Sequence, residues 1–184
     1  SEVSLEKGHM TLVDNKQMAE LENKLSSAPK KIMSGGSAAN TIFAVQAFGG
    51  STAYACRLTD DSNGQHFFRD FSESGISIDN LSPAIEGATG QCLVLVTPDA
   101  ERTMATNLGV SANLTNSCID QKVLSESKIV YLEGYLGTSE KSTGVALQAR
   151  EIALEAGAEV ALTLSDAAIL SPFRSAFESF IGEG

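Results

Sequence analysis

Between Ile32 and Leu164 the chain repeatedly runs from a short apolar stretch into a helical pattern that ends on glycine, and this alternation limits the fold more than any other feature. Ile32-Met33 reads as a short strand entering Gly35-Gly36, followed by an alanine-rich helix that Gly49-Gly50 stops in a left-handed turn. Thr52–Cys56 reads as a strand, and Asp60-Asp61 caps a helix from about Ser62 with Phe67, Phe68 and Phe71 on its apolar face. Gly75 ends that helix and Ile76 and Ile78 lead onward. Lys128–Leu132 then reads as a buried strand, and Ser142 as the cap of a helix closed by Gly157. Glu159–Leu164 reads as a further strand. Strands alternating with helices predict a mostly parallel sheet covered on both faces, with ligands beyond the carboxyl ends of the strands. That rule draws attention to Gly134-Tyr135 and Ser165-Asp166.

Two stretches depart from the alternation. Near the start, Met18, Leu21 and Leu25 recur at helical spacing, with Asp14 or Asn15 as the cap. In the middle, Gln91–Thr97 and Arg102–Thr106 flank the turn signal Pro98-Asp99-Ala100-Glu101, which predicts a β-hairpin.

Composition excludes several classes. A formal net charge of −10 disfavours nucleic acid and anionic membrane surfaces as partners. An apolar share of 42% suffices for a buried core, and no apolar run reaches the length of a membrane span. Ser1–Lys7 lacks the basic start and apolar stretch of a signal peptide, so a cytoplasmic protein with reduced cysteines is expected. Cys56, Cys92 and Cys118 are too far apart in sequence for a zinc motif and read as small buried fillers. His9 and His66 have no partner at metal-ligand spacing, so no metal site is expected within the chain.

Gly35-Gly36-Ser37-Ala38-Ala39-Asn40 is the motif with the most chemistry. Glycines let backbone approach a ligand, and a helix start supplies unpaired N–H groups with partial positive charge. The Asn40 amide offers a donor and an acceptor to hydroxyl groups. The residues themselves admit either a polyhydroxylated ligand or a plain structural turn. Walker A and Gly-x-Gly-x-x-Gly are both excluded by spacing, which counts against an unrelated dinucleotide-binding protein.

In context the motif resembles the N-terminal signature of the ribokinase/PfkB family, and Ile42 is similar to the adenosine-kinase branch. Asp61-Ser62-Asn63-Gly64, Ser74-Gly75-Ile76, Thr89-Gly90-Gln91-Cys92, Asp99-Ala100-Glu101-Arg102-Thr103 and Tyr131–Tyr135 resemble further family motifs in the family's order, from about Met10 to Phe180. One departure is Thr59, where relatives usually carry glycine.

The resemblance implies a three-layer α/β/α sandwich of the ribokinase type with a small β-sheet lid, incomplete in this chain. Residues 1–34 and 89–108 would form the lid and its flanking elements, and 35–88 and 109–184 the N-terminal part of the core. It implies an ATP-dependent, Mg2+-assisted kinase acting on a primary hydroxyl of a nucleoside or sugar, with a non-catalytic binding module as the alternative. Gly35, Gly36, Ser37 and Asn40 would hold sugar hydroxyls, and Cys92, Met104 and Thr106 would lie near the substrate under the lid. Arg102 would touch the transferring phosphate, or else be a solvated turn residue. Tyr135 would pack on the base, or else be core, and Phe173 would form a second wall. A homodimer through the lid is among the arrangements relatives adopt. The family's early Asp-bearing strand, its Asn-x-x-Glu segment and its Gly-Ala-Gly-Asp anion hole with the catalytic base find no match between Ser1 and Gly184. The chain alone is therefore expected to be inactive, with the ATP and Mg2+ sites mostly elsewhere.

Overall fold

The computed structural model describes residues 4–78 and 86–182; the parts of the expected lid and core ranges at 1–3, 79–85 and 183–184 lie outside the described residues. In chain order the elements are β1 (Met10–Leu12), α1 (Asn15–Lys24), α2 (Ser37–Ala47), β2 (Ala53–Tyr54), α3 (Ser62–Glu73) and β3 (Ser77–Ile78). There follow β4 (Gln91–Val96), β5 (Arg102–Asn107), α4 (Gln121–Glu126), β6 (Ile129–Glu133), α5 (Glu140–Glu155), β7 (Glu159–Thr163), α6 (Ala167–Leu170) and α7 (Arg174–Ile181).

The lid is a three-stranded sheet in the order β1-β5-β4. The hairpin β4–β5 forms as its turn signal predicts, with Ala100 at φ 64 and the Ala100 N–H donating to the Thr97 carbonyl at 2.8 Å. The third strand, β1, pairs parallel to β5 in the register Met10↔Met104 and Leu12↔Thr106 and was not expected as a strand. Three residues are too few for a period-two pattern to show. Strand alternation then sorts the side chains. Ala105 and Leu93 pack with Val13 and with Met18 and Leu21 of α1, while Leu12, Cys92, Val94 and Val96 are exposed on the opposite face. Cys92 is thus no buried filler, and Cys56 and Cys118 are only partly buried. Asp14 starts α1 with a capping box, accepting from the Gln17 N–H while the Gln17 side chain accepts from the Asp14 N–H.

Two parallel pairs, β2-β3 and β6-β7, make up the rest of the strand content among the described residues, so the single mostly parallel sheet expected from the alternation is here divided into pairs. Phe71 is fully buried between α2, α3 and β2. Its ring stacks on Phe67 at 4.2 Å and meets Phe43 edge-on at 4.6 Å. Burial of a phenylalanine contributes about 2 kcal/mol, and the aromatic contacts add to it, so this cluster holds α2 in place. The second core lies between β6, β7, α5 and α7 around Leu132, Ala149, Ala153, Phe177 and Phe180.

Three local expectations are corrected. Ile32-Met33 forms no strand; both side chains are about 70% exposed, and a strand needs a neighbour for its backbone groups. The strand expected over Thr52–Cys56 is only Ala53–Tyr54. The cap of α5 is Ser139, not Ser142: Ser139 has the extended backbone of a cap and accepts from the Ser142 N–H, whereas Ser142 is buried in the first turn and donates to the Leu136 carbonyl.

Candidate functional site

Two helix entrances join glycine to small polar residues. The first, at α3, is a closed clasp. Asp61 accepts from the Gly64 N–H at 2.7 Å and, with its other oxygen, from the Thr89 N–H at 2.8 Å. The Thr89 hydroxyl accepts from the Thr59 N–H and shares a hydrogen bond with the Thr59 hydroxyl. Burial works against the Asp61 carboxylate, but the N–H donors of Gly64 and Thr89 and the two threonine hydroxyls outweigh it and hold its pKa below the ordinary value. A Cβ at Gly64 would collide with the Thr59 carbonyl and stand 2.8 Å from the Thr89 hydroxyl, which explains the glycine. Thr59, the departure from the family pattern, is thus a working member of the clasp.

The second entrance, at α2, is open. Gly36 caps the helix at φ 115 and ψ 148, a conformation that favours glycine, and no side chain caps the free N–H groups. Gly35, Gly36, Ser37 and Asn40 are exposed, and a Cβ placed at Gly35 meets nothing within 4 Å. Just before them the Ser34 hydroxyl is buried without a partner.

The open entrance stands against the carboxyl ends of β6 and β7. The Ser37 hydroxyl donates to Glu133 at 2.5 Å, and the Ser165 hydroxyl donates to the other Glu133 oxygen. The Tyr135 hydroxyl donates to Asp166 at 3.3 Å. Burial, then the charge of Asp166 and the hydrogen bond to it, then Glu133 and Cys92, push the Tyr135 phenol up to about 12. Thr106 donates to the Cys92 sulfur at 3.2 Å, and Met104, two residues earlier on β5, is partly buried on the same face. Arg102 lies exposed at the far end of the hairpin, opposite Val96. Phe173 precedes α7 and packs against the core of Phe177 and Phe180.

A cavity of about 440 Å³ opens between the start of α1 and the end of β5, lined among others by Asp14, Asn15, Thr106, Asn107 and Asn113. Of the residues selected from sequence, Thr106 lines it; the glycine loop does not. Ser165 was marked from sequence only by its place after a strand, and Glu133, inside the Tyr131–Tyr135 motif, was given no role of its own. The signal for Glu133 was an acid on a strand end directly before Gly134, where a Cβ would stand 2.6 Å from the Thr163 carbonyl. Among the described residues no three His, Cys, Asp or Glu side chains gather closely enough to hold a metal ion.

The sequence profile of the pfkB family carbohydrate kinases matches residues 12–183. The chain belongs to that family. Its fold is the ribokinase-like α/β fold: the adenosine kinase of Sinorhizobium meliloti superposes with a TM-score of 0.87 at 33% identity, covering 94% of this chain and 52% of that one. A probable sugar kinase from Rhizobium etli CFN 42 gives 0.87 at 30% identity, covering 94% and 52%. The Schistosoma mansoni adenosine kinase in complex with adenosine shares the fold at 0.81 and 22% identity, covering 96% and 52%. This pfkB-family chain thus spans about half the length of the solved relatives it resembles. No curated protein matches it. No helix among its described residues is long and apolar enough to cross a membrane.

Proposed function

We propose that this chain forms the acceptor-binding part of an ATP-dependent kinase that phosphorylates a primary hydroxyl of a nucleoside such as adenosine, or of a sugar. The observation that carries this reading is the open entrance of α2, where backbone N–H groups, the Ser37 hydroxyl and the Asn40 amide are exposed beside the strand ends. Hydroxyl groups suit such a surface because each donates one hydrogen bond and accepts others. A nucleoside is favoured by the 33% identity to a protein named adenosine kinase and by Tyr135, a flat ring just beyond the end of β6. In this reading residues 1–34 and 89–108 form the lid, and residues 35–88 and 109–184 the core. Cys92, Met104 and Thr106 face the acceptor, Gly35, Gly36, Ser37 and Asn40 hold its hydroxyls, and Arg102 approaches the phosphoryl group when the lid closes.

Phosphoryl transfer rests on positioning and charge stabilisation. The 184 residues are read as supplying the positioning of the acceptor, and no step is assigned to Mg2+. On its own the chain is expected to release no ADP from ATP in the presence of adenosine, and a steady rate above background would contradict that. The exposed Leu12, Val94 and Val96 offer the lid face to the acceptor or to a second lid, and sedimentation distinguishes monomer from dimer.

The deciding test is a thermal-shift panel of adenosine, inosine, ribose and fructose on the 184-residue chain. A ligand that binds only the native state at a hundred times its Kd adds about 2.7 kcal/mol and raises Tm. Adenosine is expected to give the largest rise. A rise with ribose or fructose alone assigns a sugar, and no rise with any of the four overturns the reading.

A further inference from the structure

Ser37, Glu133 and Ser165 belong to three segments far apart in sequence, yet one carboxylate joins them. Glu133 ends β6, Ser37 begins α2, and Ser165 follows β7. The Ser37 hydroxyl reaches Glu133 at 2.5 Å, and Ser165 takes the other oxygen. The backbone that carries the carboxylate is held firmly. Glu133 pairs with Thr163 in the β6–β7 register, and at Gly134 an added Cβ would stand 2.9 Å from the Phe177 ring. Ser165 sits at φ 62, a left-handed conformation uncommon for a residue with a side chain, and its bond to Glu133 helps to hold it there.

A carboxylate only accepts hydrogen bonds, so both serines must donate to it. That fixes the polarity of Ser37: its one proton is committed to Glu133, and only lone pairs are left for a ligand. We propose that Glu133 is a positioning and specificity-determining residue, which pins the entrance of α2 to the strand ends and turns Ser37 into an obligate acceptor toward ligand hydroxyls. The specificity half rests on the proposed function given above; the positioning half does not.

The test is calorimetric titration of the 184-residue chain with adenosine and with its 2′-fluoro-2′-deoxy and 3′-fluoro-3′-deoxy analogues, which accept but do not donate at the substituted carbon. The unmodified chain is expected to bind at least one analogue about tenfold more weakly than adenosine, the loss of one hydrogen bond of ordinary strength. Glu133→Gln presents an amide that donates to Ser37, frees the serine proton to turn outward, and is expected to shrink that penalty to about twofold or less. Ser37→Ala is expected to shrink it as well. A penalty of equal size in all three proteins overturns the specificity claim, as does the absence of any penalty in the unmodified chain.

A ligand-free arm separates this inference from the function it builds on. The Asn40 N–H donates to the Gly36 carbonyl at 2.8 Å in the first turn of α2. Its hydrogen exchange is expected to quicken about tenfold in Glu133→Ala and to be largely restored in Glu133→Gln. Exchange unchanged in Glu133→Ala overturns the positioning claim. If the unmodified chain binds no nucleoside, the proposed function and the specificity claim fall, while the exchange result still decides the positioning. If Glu133→Ala does not fold, Ser37→Ala replaces it in the exchange arm, with the same two outcomes.

Discussion

The entrances of α2 and α3 use similar residues to opposite ends. Both join glycine to small polar side chains at the start of a helix of similar length. At α3 the Asp61 carboxylate, the Gly64 and Thr89 N–H groups and the threonine hydroxyls are bonded to one another, and the glycine is hemmed in. At α2 Gly35 faces open space, no side chain caps the helix, and Ser37 is tied down by a partner from another part of the chain. A helix start whose hydrogen-bonding groups are spent internally is scaffold. One that keeps them unspent beside a strand end has them available for a ligand.

Substitutions at the two entrances sharpen or break this contrast. The largest effect is expected for Gly64→Ala, where the new methyl overlaps the Thr59 carbonyl and the Thr89 hydroxyl; a loss of about 3 kcal/mol in denaturant unfolding is expected. Next comes Asp61→Ala, which deletes a helix cap and leaves the Thr89 N–H without its acceptor, at a cost of about 2 kcal/mol near neutral pH. That cost depends on pH. The Asp61 pKa is lowered on folding, so its contribution is complete above the ordinary value of 3.8 and is lost as pH falls through the lower folded value. Unfolding curves of the native chain and of Asp61→Ala are therefore expected to converge in strong acid and to stay apart above pH 5. Gly36→Ala forces a side chain into φ 115 and is expected to cost about 1 kcal/mol, together with most of the adenosine-induced thermal shift. The smallest effect on stability is expected at Gly35→Ala, within about 0.5 kcal/mol of the native chain, because nothing lies within 4 Å of the added methyl. A large loss of stability at Gly35, or none at Gly64, would reverse the assignment of scaffold and open site.

The sequence made the regular parts legible. Glycine stops at Gly49, Gly75 and Gly157 all adopt positive φ, the hairpin turn is where Pro98–Glu101 signals it, and Asp14 and Asp61 cap their helices. What escaped depends on tertiary partners. Met10–Leu12 becomes a strand only because β5 offers it an edge, and Ile32-Met33 fails to become one because no such edge is present beside it among the described residues. The cap of α5 shifts three residues upstream, since Ser142 spends its hydroxyl on the Leu136 carbonyl. For the site, the glycine loop and the ends of β6 and β7 could be marked from their positions. That Glu133 would bridge Ser37 across 96 positions was invisible, because no local pattern encodes a contact at that separation.

The central claim is that the α2 entrance, not the α3 clasp, receives a hydroxylated ligand, and amide chemical shifts read it residue by residue. Titration of the isotope-labelled chain with adenosine is expected to move the resonances of Gly35, Gly36, Ser37 and Asn40 while leaving Gly64 and Thr89 in place. Saturable shifts at Gly64 and Thr89, or around Asn107 and Asn113 alone, with positions 35–40 unmoved, would contradict the account.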